Sequence, residues 1–190
     1  MNKSEISEII STRHLKLRKW KLIEYYSPTI FFLLMPIAYF IFIVKAKIED
    51  NIIVFDKIMS DIGYPIASLL TAIIFFVLYR RELKFKTIHL KVSKQDFLKA
   101  IELTQIELNW LIPEKNDKYV IAYSKNNYGS SGETIRIIKK HNLILINSIH
   151  NVFNNPLSAR NSENIEAFKK NLTKVRVQQR TEIKNKHILP

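Results

Sequence analysis

The sequence predicts an α+β membrane protein, in which an N-terminal two-helix transmembrane hairpin precedes a small cytoplasmic domain of the order helix, antiparallel meander, helix. Two uncharged apolar stretches of membrane-spanning length, 27–44 and 62–79, predict the hairpin. Basic residues beside these stretches predict its orientation. The chain that follows shows helical and two-residue periodicities in turn, which predicts the mixed domain.

The two predicted spans lack charge on every side. The longest uncharged windows are Tyr25–Val44 and Ile62–Tyr79, which hold 20 and 18 residues. At about 1.5 Å per residue these helices are roughly 30 and 27 Å long, close to the thickness of the hydrocarbon layer. Two buried core helices of a soluble protein are the alternative, which is disfavoured because core helices rarely stay uncharged all round over about five turns. Pro36 inside the first span predicts a kink.

Charge in the flanking segments predicts that both termini are cytoplasmic. Residues 1–26 carry six Lys and Arg against three acids, whereas the connecting segment 45–61 carries three against four. Basic segments stay on the inner side, so we expect a multi-pass protein of the cytoplasmic membrane, with residues 1–26 as a basic amphipathic segment. The expected inner-leaflet basic residues are Lys16, Arg18, Lys19, Lys21, Arg80 and Arg81, and the expected aromatic anchors are Trp20, Tyr25, Tyr26 and Tyr79.

Residues 80–178 are expected to form the cytoplasmic α+β domain. Phe85–Val92 alternates and predicts a strand or an extended lead-in. Ser93 precedes Asp96 at capping-box spacing, so a helix is predicted near 94–108.

An antiparallel meander and a second helix complete the predicted domain. The expected strands are Trp110–Ile112, which stops at Pro113, then Lys118–Ser124, and a hairpin of Glu133–Lys139 with Leu143–Ile149. Ser162 is the expected cap of the last helix, whose stripe is Ile165, Phe168, Leu172 and Val175. Residues 179–190 are predicted to be a frayed basic tail.

The net charge indicates which classes of partner the chain would attract. It is +13 at pH 7, of which residues 80–190 contribute +11, the excess of 21 Lys and Arg over 10 acids. A basic surface beside a bilayer predicts attraction to anionic lipid headgroups. Nucleic acid ranks second, because no recognition motif accompanies the scattered basic residues. The sequence has no cysteine, which excludes disulfides, thiol nucleophiles and thiolate metal sites.

Part of the domain resembles a known pattern. The residues that carry it are Gly132-Glu133-Thr134-Ile135-Arg136-Ile137, Leu145-Ile146-Asn147-Ser148, Asn161 and Asn164-Ile165. They resemble the C-terminal part of small bacterial two-pass membrane proteins, in which a two-helix hairpin precedes a compact α+β domain. The resemblance covers residues 85–175, and many of these proteins have a glycine where this chain has Ala159-Arg160. It supports the domain organisation and implies no known activity.

The sequence offers no catalytic, metal-binding or cofactor-binding signature. The five histidines form no H-x-x-x-H or H-E-x-x-H pattern, and no nucleophile elbow or glycine-rich phosphate motif is present. Asparagine and serine side chains cluster late in the domain, and Asn147, Ser148 and Asn161 are the candidates for a small-ligand pocket. Such clusters more often hydrogen-bond the backbone of loops, which is the alternative interpretation.

Three functions remain after these exclusions. The first is a non-enzymatic membrane module whose cytoplasmic domain binds a protein partner or assembles with further copies of the chain. The second is a membrane-perturbing effector, or a toxin or immunity protein, gated by a ligand of the soluble domain. The third is an enzyme acting on lipid or an envelope precursor, for which the sequence supplies no recognisable nucleophile or metal site.

Overall fold

The computed structural model describes residues 1–49, 56–57, 60–124, 132–149 and 160–186. The chain forms two compact units. One combines Met1–Lys16 with Glu82–Pro190, and the other is Leu17–Arg81. The described residues form six helices and one antiparallel sheet, so the predicted α+β class is confirmed.

The elements follow one another in a mixed order. The helices are α1 Lys3–Thr12, α2 Lys19–Tyr25, α3 Ser27–Ile48, α4 Gly63–Glu82, α5 Lys94–Leu108 and α6 Arg160–Lys186. The strands are β1 Lys86–His89, β2 Trp110–Lys115, β3 Tyr119–Ser124, β4 Thr134–Lys140 and β5 Leu143–Ile149.

Helices α3 and α4 are long and apolar enough to cross a membrane. Only 6% of the most apolar window of α3 and 22% of that of α4 is buried. The core helix of a soluble protein would be mostly buried, so these helices differ from one. Large apolar side chains such as Phe31, Phe40 and Ile74 are mainly exposed.

Pro36 leaves one backbone group of α3 without its usual partner. Because proline has no N–H, the carbonyl of Phe32, four residues earlier, receives no hydrogen bond from that position. Ser68 of α4 supplies the missing donor, since its hydroxyl donates to the Phe32 carbonyl oxygen over 2.6 Å. Helix α3 continues through Pro36, and this hydrogen bond joins α3 and α4 at that level.

Aromatic rings join α2, α3 and α4 near the end of α4. The rings of Tyr25 and Tyr79 meet edge to face with centroids 5.2 Å apart, and Phe32 stacks on Phe75 at 5.6 Å. The Tyr25 hydroxyl also donates to the carbonyl oxygen of Tyr79. Such pairs add stability beyond the apolar area that they bury.

The sheet has the strand order β1-β5-β4-β3-β2, and all neighbouring strands are antiparallel. The predicted meander is therefore confirmed for β2 to β5. The lead-in strand β1 adds to the far side of β5. The sequence prediction ended β2 at Pro113, but the strand passes through Pro113 to Lys115. A proline is tolerated there because β2 is an edge strand with a bulge between Leu111 and Glu114.

Helices α5 and α6 cover one face of the sheet, which we call the core face. The predicted cap is confirmed at Ser93, whose hydroxyl oxygen accepts from the Asp96 N–H over 3.0 Å and whose hydroxyl donates to the Asp96 carboxylate over 2.7 Å. Phe97 and Phe168 meet edge to face between the two helices. The predicted α6 stripe is confirmed as part of this core, although α6 begins at Arg160 and extends to Lys186, beyond the predicted limits. All four stripe residues are buried, namely Ile165, Phe168, Leu172 and Val175.

Helix α1 covers part of the opposite face, which we call the second face. Arg13 donates to Thr87 of β1, and the amino group of Met1 lies 3.0 Å from Glu114 of β2, so α1 crosses the strands. Ile9 of α1 is fully buried. The domain prediction placed residues 1–26 in a separate amphipathic segment; the structure instead groups Met1–Lys16 with the α+β domain, because α1 buries its apolar side against the sheet.

The chain leaves and re-enters the α+β domain through a short paired stretch. The Leu15 N–H donates to the Leu83 carbonyl oxygen and the Phe85 N–H donates to that of Arg13, at 2.9 and 2.8 Å. His14 and Lys84 form the antiparallel bridge between these bonds. We call this pairing the neck. It brings together residues about 70 positions apart in the sequence.

Candidate functional site: a buried carboxylate network

The most unusual polar feature of the domain is a buried glutamate, Glu133, immediately before β4. Only 2% of the Glu133 surface is exposed to solvent. Four other buried polar or aromatic residues connect with it through hydrogen bonds, and we call the whole set the polar network. Its members are Trp110, Ser124, Glu133, Ser148 and Asn164.

Gly132 lets the chain deliver Glu133 into this position. A Cβ atom at residue 132 would lie 1.5 Å from the carbonyl oxygen of Ser124, so the backbones of the two segments touch where only glycine fits. The Ser124 N–H donates to the Glu133 carbonyl oxygen over 3.0 Å, and the Glu133 N–H donates to the Ser124 hydroxyl oxygen over 2.9 Å. The backbone of Glu133 is therefore fixed to the end of β3.

The carboxylate of Glu133 receives donors from β5 and α6. The Ser148 hydroxyl donates to Oε2 over 3.2 Å. The Asn164 amide nitrogen donates to the same Oε2 and lies 3.2 Å from the Ser148 oxygen. The Trp110 indole N–H donates to the Asn164 Oδ1 over 2.9 Å, which fixes the amide orientation. Side chains from β5 and α6 thus converge on one carboxylate, and Trp110 of β2 holds the Asn164 amide in place.

These hydrogen bonds compensate the burial of the Glu133 side chain and fix its position. A buried carboxylate costs several kcal/mol unless hydrogen bonds replace its water, and here a hydroxyl and an amide do so. A carboxylate beside a serine hydroxyl also resembles the pairing of a base with a nucleophile. Because Glu133, Ser148 and Asn164 are each at most 3% exposed, the pair has no contact with solvent in this conformation.

The structure describes the side chains of two of the three predicted pocket residues, Asn147 and Ser148, and places them on opposite faces of the sheet. Asn147 and Ser148 are neighbours on β5, so their side chains point to opposite faces of the sheet. Ser148 joins the polar network, whereas the Asn147 amide nitrogen donates to the carbonyl oxygens of Glu82 and Lys84, at 2.6 and 3.2 Å. The side chain of Asn161 lies outside the described part of the structure. A ligand pocket at these residues stays a prediction.

The predicted membrane anchors fall into two groups. Trp20 of α2 is 84% exposed, as an interfacial anchor should be. Tyr25 and Tyr79 are buried against each other within their unit, and Tyr26 is half-buried beside them. These three tyrosines therefore also hold α2 to α4.

The predicted inner-leaflet basic residues are all exposed. Lys16 lies 3.0 Å from Glu8. The other five form no ion pair with any residue that the structure describes, which leaves their charge open to an anionic partner. These five are Arg18, Lys19, Lys21, Arg80 and Arg81.

Sequence reasoning missed Glu133 and Trp110. Both were assigned to strands, and nothing marked them as partners of α6. One signal was available, because Glu133 is an ionisable residue between a glycine and a run of β-branched residues. In the described ranges, no three His, Cys, Asp or Glu side chains are grouped so that they could hold a metal ion.

A scan against models of known protein families gave no match, and a search of curated proteins found none similar to this chain. The resemblance to small bacterial two-pass membrane proteins therefore stays a prediction. The function has to be argued from the residues and their contacts.

Proposed function

We propose that the protein is a non-enzymatic membrane module, with α3 and α4 forming a hairpin across the cytoplasmic membrane and the α+β domain binding a partner, or further copies of the chain, at the inner surface. The observation that carries this proposal is the exposed apolar surface of α3 and α4. Soluble proteins rarely expose contiguous apolar patches of more than a few hundred Å². The hydrocarbon layer of a membrane would cover this surface without exposing apolar side chains to water.

The flanking charges support the cytoplasmic orientation. Arg18, Lys19 and Lys21 precede α3, and Arg80 and Arg81 end α4, whereas the segment between the two helices is slightly acidic. Basic residues close to a span are retained on the inner side. Anionic lipid headgroups would then lie against these exposed basic residues, each contributing about 1 kcal/mol of attraction near the surface.

Membrane insertion is tested by extraction at alkaline pH. We expect the protein to remain in the pellet after carbonate treatment and to need detergent for release. Replacing Leu34 of α3 by arginine should reduce the pelleted fraction, because a cation near the centre of a span costs about 2.5–3.5 kcal/mol in insertion. Release of the unaltered chain by carbonate alone would overturn the proposal.

The orientation is tested separately by cysteine labelling, since the chain has no cysteine of its own. We expect a membrane-impermeant maleimide to label a Ser60→Cys variant in intact spheroplasts and to leave a Thr173→Cys variant unlabelled until the membrane is opened. Both positions are exposed, so access to the reagent is the difference. The reverse pattern would contradict the cytoplasmic placement of the domain.

The partner-binding role is tested by purification in mild detergent. We expect a homo-oligomer or a stoichiometric protein partner to co-purify with the chain. A lone monomer with no associated protein under these conditions would count against this role.

A second candidate function is a membrane-perturbing effector gated by a ligand of the α+β domain. The polar network favours it, because burying a carboxylate costs stability. Ionisable groups in such costly environments are common at functional sites. Expression should then cause dye leakage from cells or from liposomes that carry the protein. Intact membranes at every expression level would exclude this candidate.

A further inference from the structure

Helix α1 leaves one end of the second face uncovered. The row of residues beneath α1 includes Ile138 and Leu145, which are both about 1% exposed. Toward the other end of the sheet, Leu111 of β2 and Tyr123 of β3 are direct cross-strand partners. Leu111 is 53% exposed and Tyr123 is 44% exposed. This pair forms a small exposed apolar platform on the second face.

Arg136 adjoins this platform on the same face. Strand register places Arg136 opposite Ile121 of β3, and Ile121 is two residues from Tyr123. Alternation along each strand therefore puts Arg136, Ile121 and Tyr123 on one side of the sheet. The side chain of Arg136 is half-buried, and no described residue forms a hydrogen bond or ion pair with it.

A shielded arginine without a partner is unusual. Burial lowers the pKa of Arg136, while the Glu5 carboxylate and Tyr123 act in the opposite direction. The side chain remains a cation at neutral pH, because arginine is effectively always protonated. Glu5 influences it without forming an ion pair, so the guanidinium donors are still available. An arriving carboxylate would meet a planar fork suited to two parallel hydrogen bonds.

We propose that Leu111, Tyr123 and Arg136 form the docking surface for an acidic segment of a protein partner, whose carboxylate pairs with Arg136 while an adjacent apolar side chain packs on Leu111 and Tyr123. This inference deepens the proposed partner-binding function and rests on it. Charge complementarity selects the occupant, because the surface offers one cation beside apolar area and the domain as a whole is basic. Tyrosine and arginine are also the residues most enriched where binding energy concentrates.

The test uses the full chain in phosphatidylcholine nanodiscs and a displayed library of random twelve-residue peptides as the probe. We expect selected peptides to place Asp or Glu next to a large apolar residue. Binding of a selected peptide should weaken about tenfold or more in Arg136→Gln, the loss of one charge-assisted interaction. It should also weaken in Leu111→Ser and as the salt concentration rises.

The matched control is Ile106→Ser on α5. Ile106 is 76% exposed and lies outside this surface, so its replacement should leave peptide binding unchanged. Trp110 fluorescence, recorded in a Trp20→Phe background so that Trp110 is the one emitting indole, reports whether each variant is folded. Should Arg136→Gln fail to fold, Leu111→Ser and Tyr123→Ser decide the question, because both side chains are exposed.

Three results would overturn the proposal. One is a selected peptide set without acidic residues, and another is undiminished binding to a folded Arg136→Gln. The third comes from a photoreactive benzoyl-phenylalanine placed at position 111 in cells: crosslinks to lipid or to a second copy of the chain would assign this surface to another occupant. The carbonate and labelling experiments are independent of these outcomes, so loss of this surface leaves the membrane hairpin untouched.

Discussion

At the scale of single residues, Gly132 is the position with the least freedom. Ser124 occupies the space that any side chain at residue 132 would need. The contacting atoms belong to the Ser124 backbone, which cannot move aside as the end of a flexible side chain could. This close approach fixes Glu133, and through Glu133 the polar network, so the addition of one methyl group at Gly132 affects residues on β2, β3, β5 and α6.

We predict that Gly132→Ala prevents the domain from folding or destabilises it by more than about 3 kcal/mol, beyond the usual range of single substitutions. Urea unfolding of the full chain in detergent, followed by Trp110 fluorescence in a Trp20→Phe background, measures this. Gly63→Ala is the control, because a Cβ atom there meets nothing within 4 Å. A Gly132→Ala variant as stable as Gly63→Ala would contradict the close approach.

Residue-scale features were only partly predictable from the sequence. The Ser93 cap follows from local spacing, and the structure confirms it. The burial of Glu133 depends on Asn164 and Trp110, which are separated from it by 31 and 23 positions, so no local pattern shows it. Strand alternation alone would have separated Asn147 from Ser148, because adjacent strand residues face opposite sides.

At the scale of elements, the bond between Ser68 and Phe32 links α4 to the carbonyl released by Pro36. We predict that Ser68→Ala destabilises the pairing of α3 with α4 by about 1 kcal/mol, the usual net contribution of one hydrogen bond. The cost should shrink in a Pro36→Ala background, since residue 36 then supplies the missing N–H itself. Reversible unfolding of the full chain in mixed micelles measures the double-mutant cycle.

Thr71→Ala is the control for that cycle. The Thr71 hydroxyl donates to the carbonyl of Ala67 in its own helix, so its loss breaks no bond between helices. Equal costs of Ser68→Ala in both backgrounds would show that Pro36 and Ser68 act independently.

Helices α5 and α6 share a polar contact that predicts a pH dependence. The hydrogen bonds from Asn171 and Lys170 lower the pKa of Glu107 below its ordinary value. The ionised form is thus favoured in the folded state, and its stabilisation is complete above the unfolded pKa of about 4.3. It is lost as the pH falls through the lower, folded pKa.

We therefore predict that acidification from about pH 6 to about pH 3 lowers the Tm of the unaltered chain more steeply than that of Glu107→Gln. Circular dichroism melts across this range measure the slopes. Glu24→Gln serves as the control, because the Glu24 side chain is exposed and makes no ion pair with a described residue. Parallel slopes for the unaltered chain and Glu107→Gln would argue against this contact in solution.

Element prediction succeeded where the signal was local. Helix α5 was expected near 94–108 and occupies Lys94–Leu108. The hairpin of β4 and β5 was also expected nearly at its observed bounds. The sequence prediction ended β2 at Pro113, whereas the strand continues to Lys115. The edge position and the bulge make a proline acceptable there, and neither can be read from the local sequence.

At the scale of the whole molecule, the α+β domain is built from two separate stretches of chain. Helix α1 completes its second face from a position more than 60 residues earlier than the rest. The sequence indicates the amphipathic character of this segment, but such a helix can bury its apolar side against either a bilayer or a sheet. Long-range contacts decide between the two, and the local hydrophobic pattern carries no information about them.

We predict that Ile9→Ser destabilises the α+β domain by about 2–4 kcal/mol, the range for truncating a buried aliphatic side chain and burying a polar group in its place. Thermal unfolding of the full chain measures the loss. Ile106→Ser should cost far less, because Ile106 is exposed. If residues 1–16 lay on the membrane instead, Ile9→Ser would leave domain stability unchanged and weaken only lipid contact.

The neck also has a consequence for synthesis. The neck residues Arg13–Leu15 leave the ribosome about 70 positions ahead of Leu83–Phe85, which at 5–20 residues per second is a delay of roughly 4–14 seconds. During that interval helices α2 to α4 are being synthesised, and the nascent α1 has no sheet to pack against. A chaperone would meet an unfinished domain whose first helix is made well before its strands.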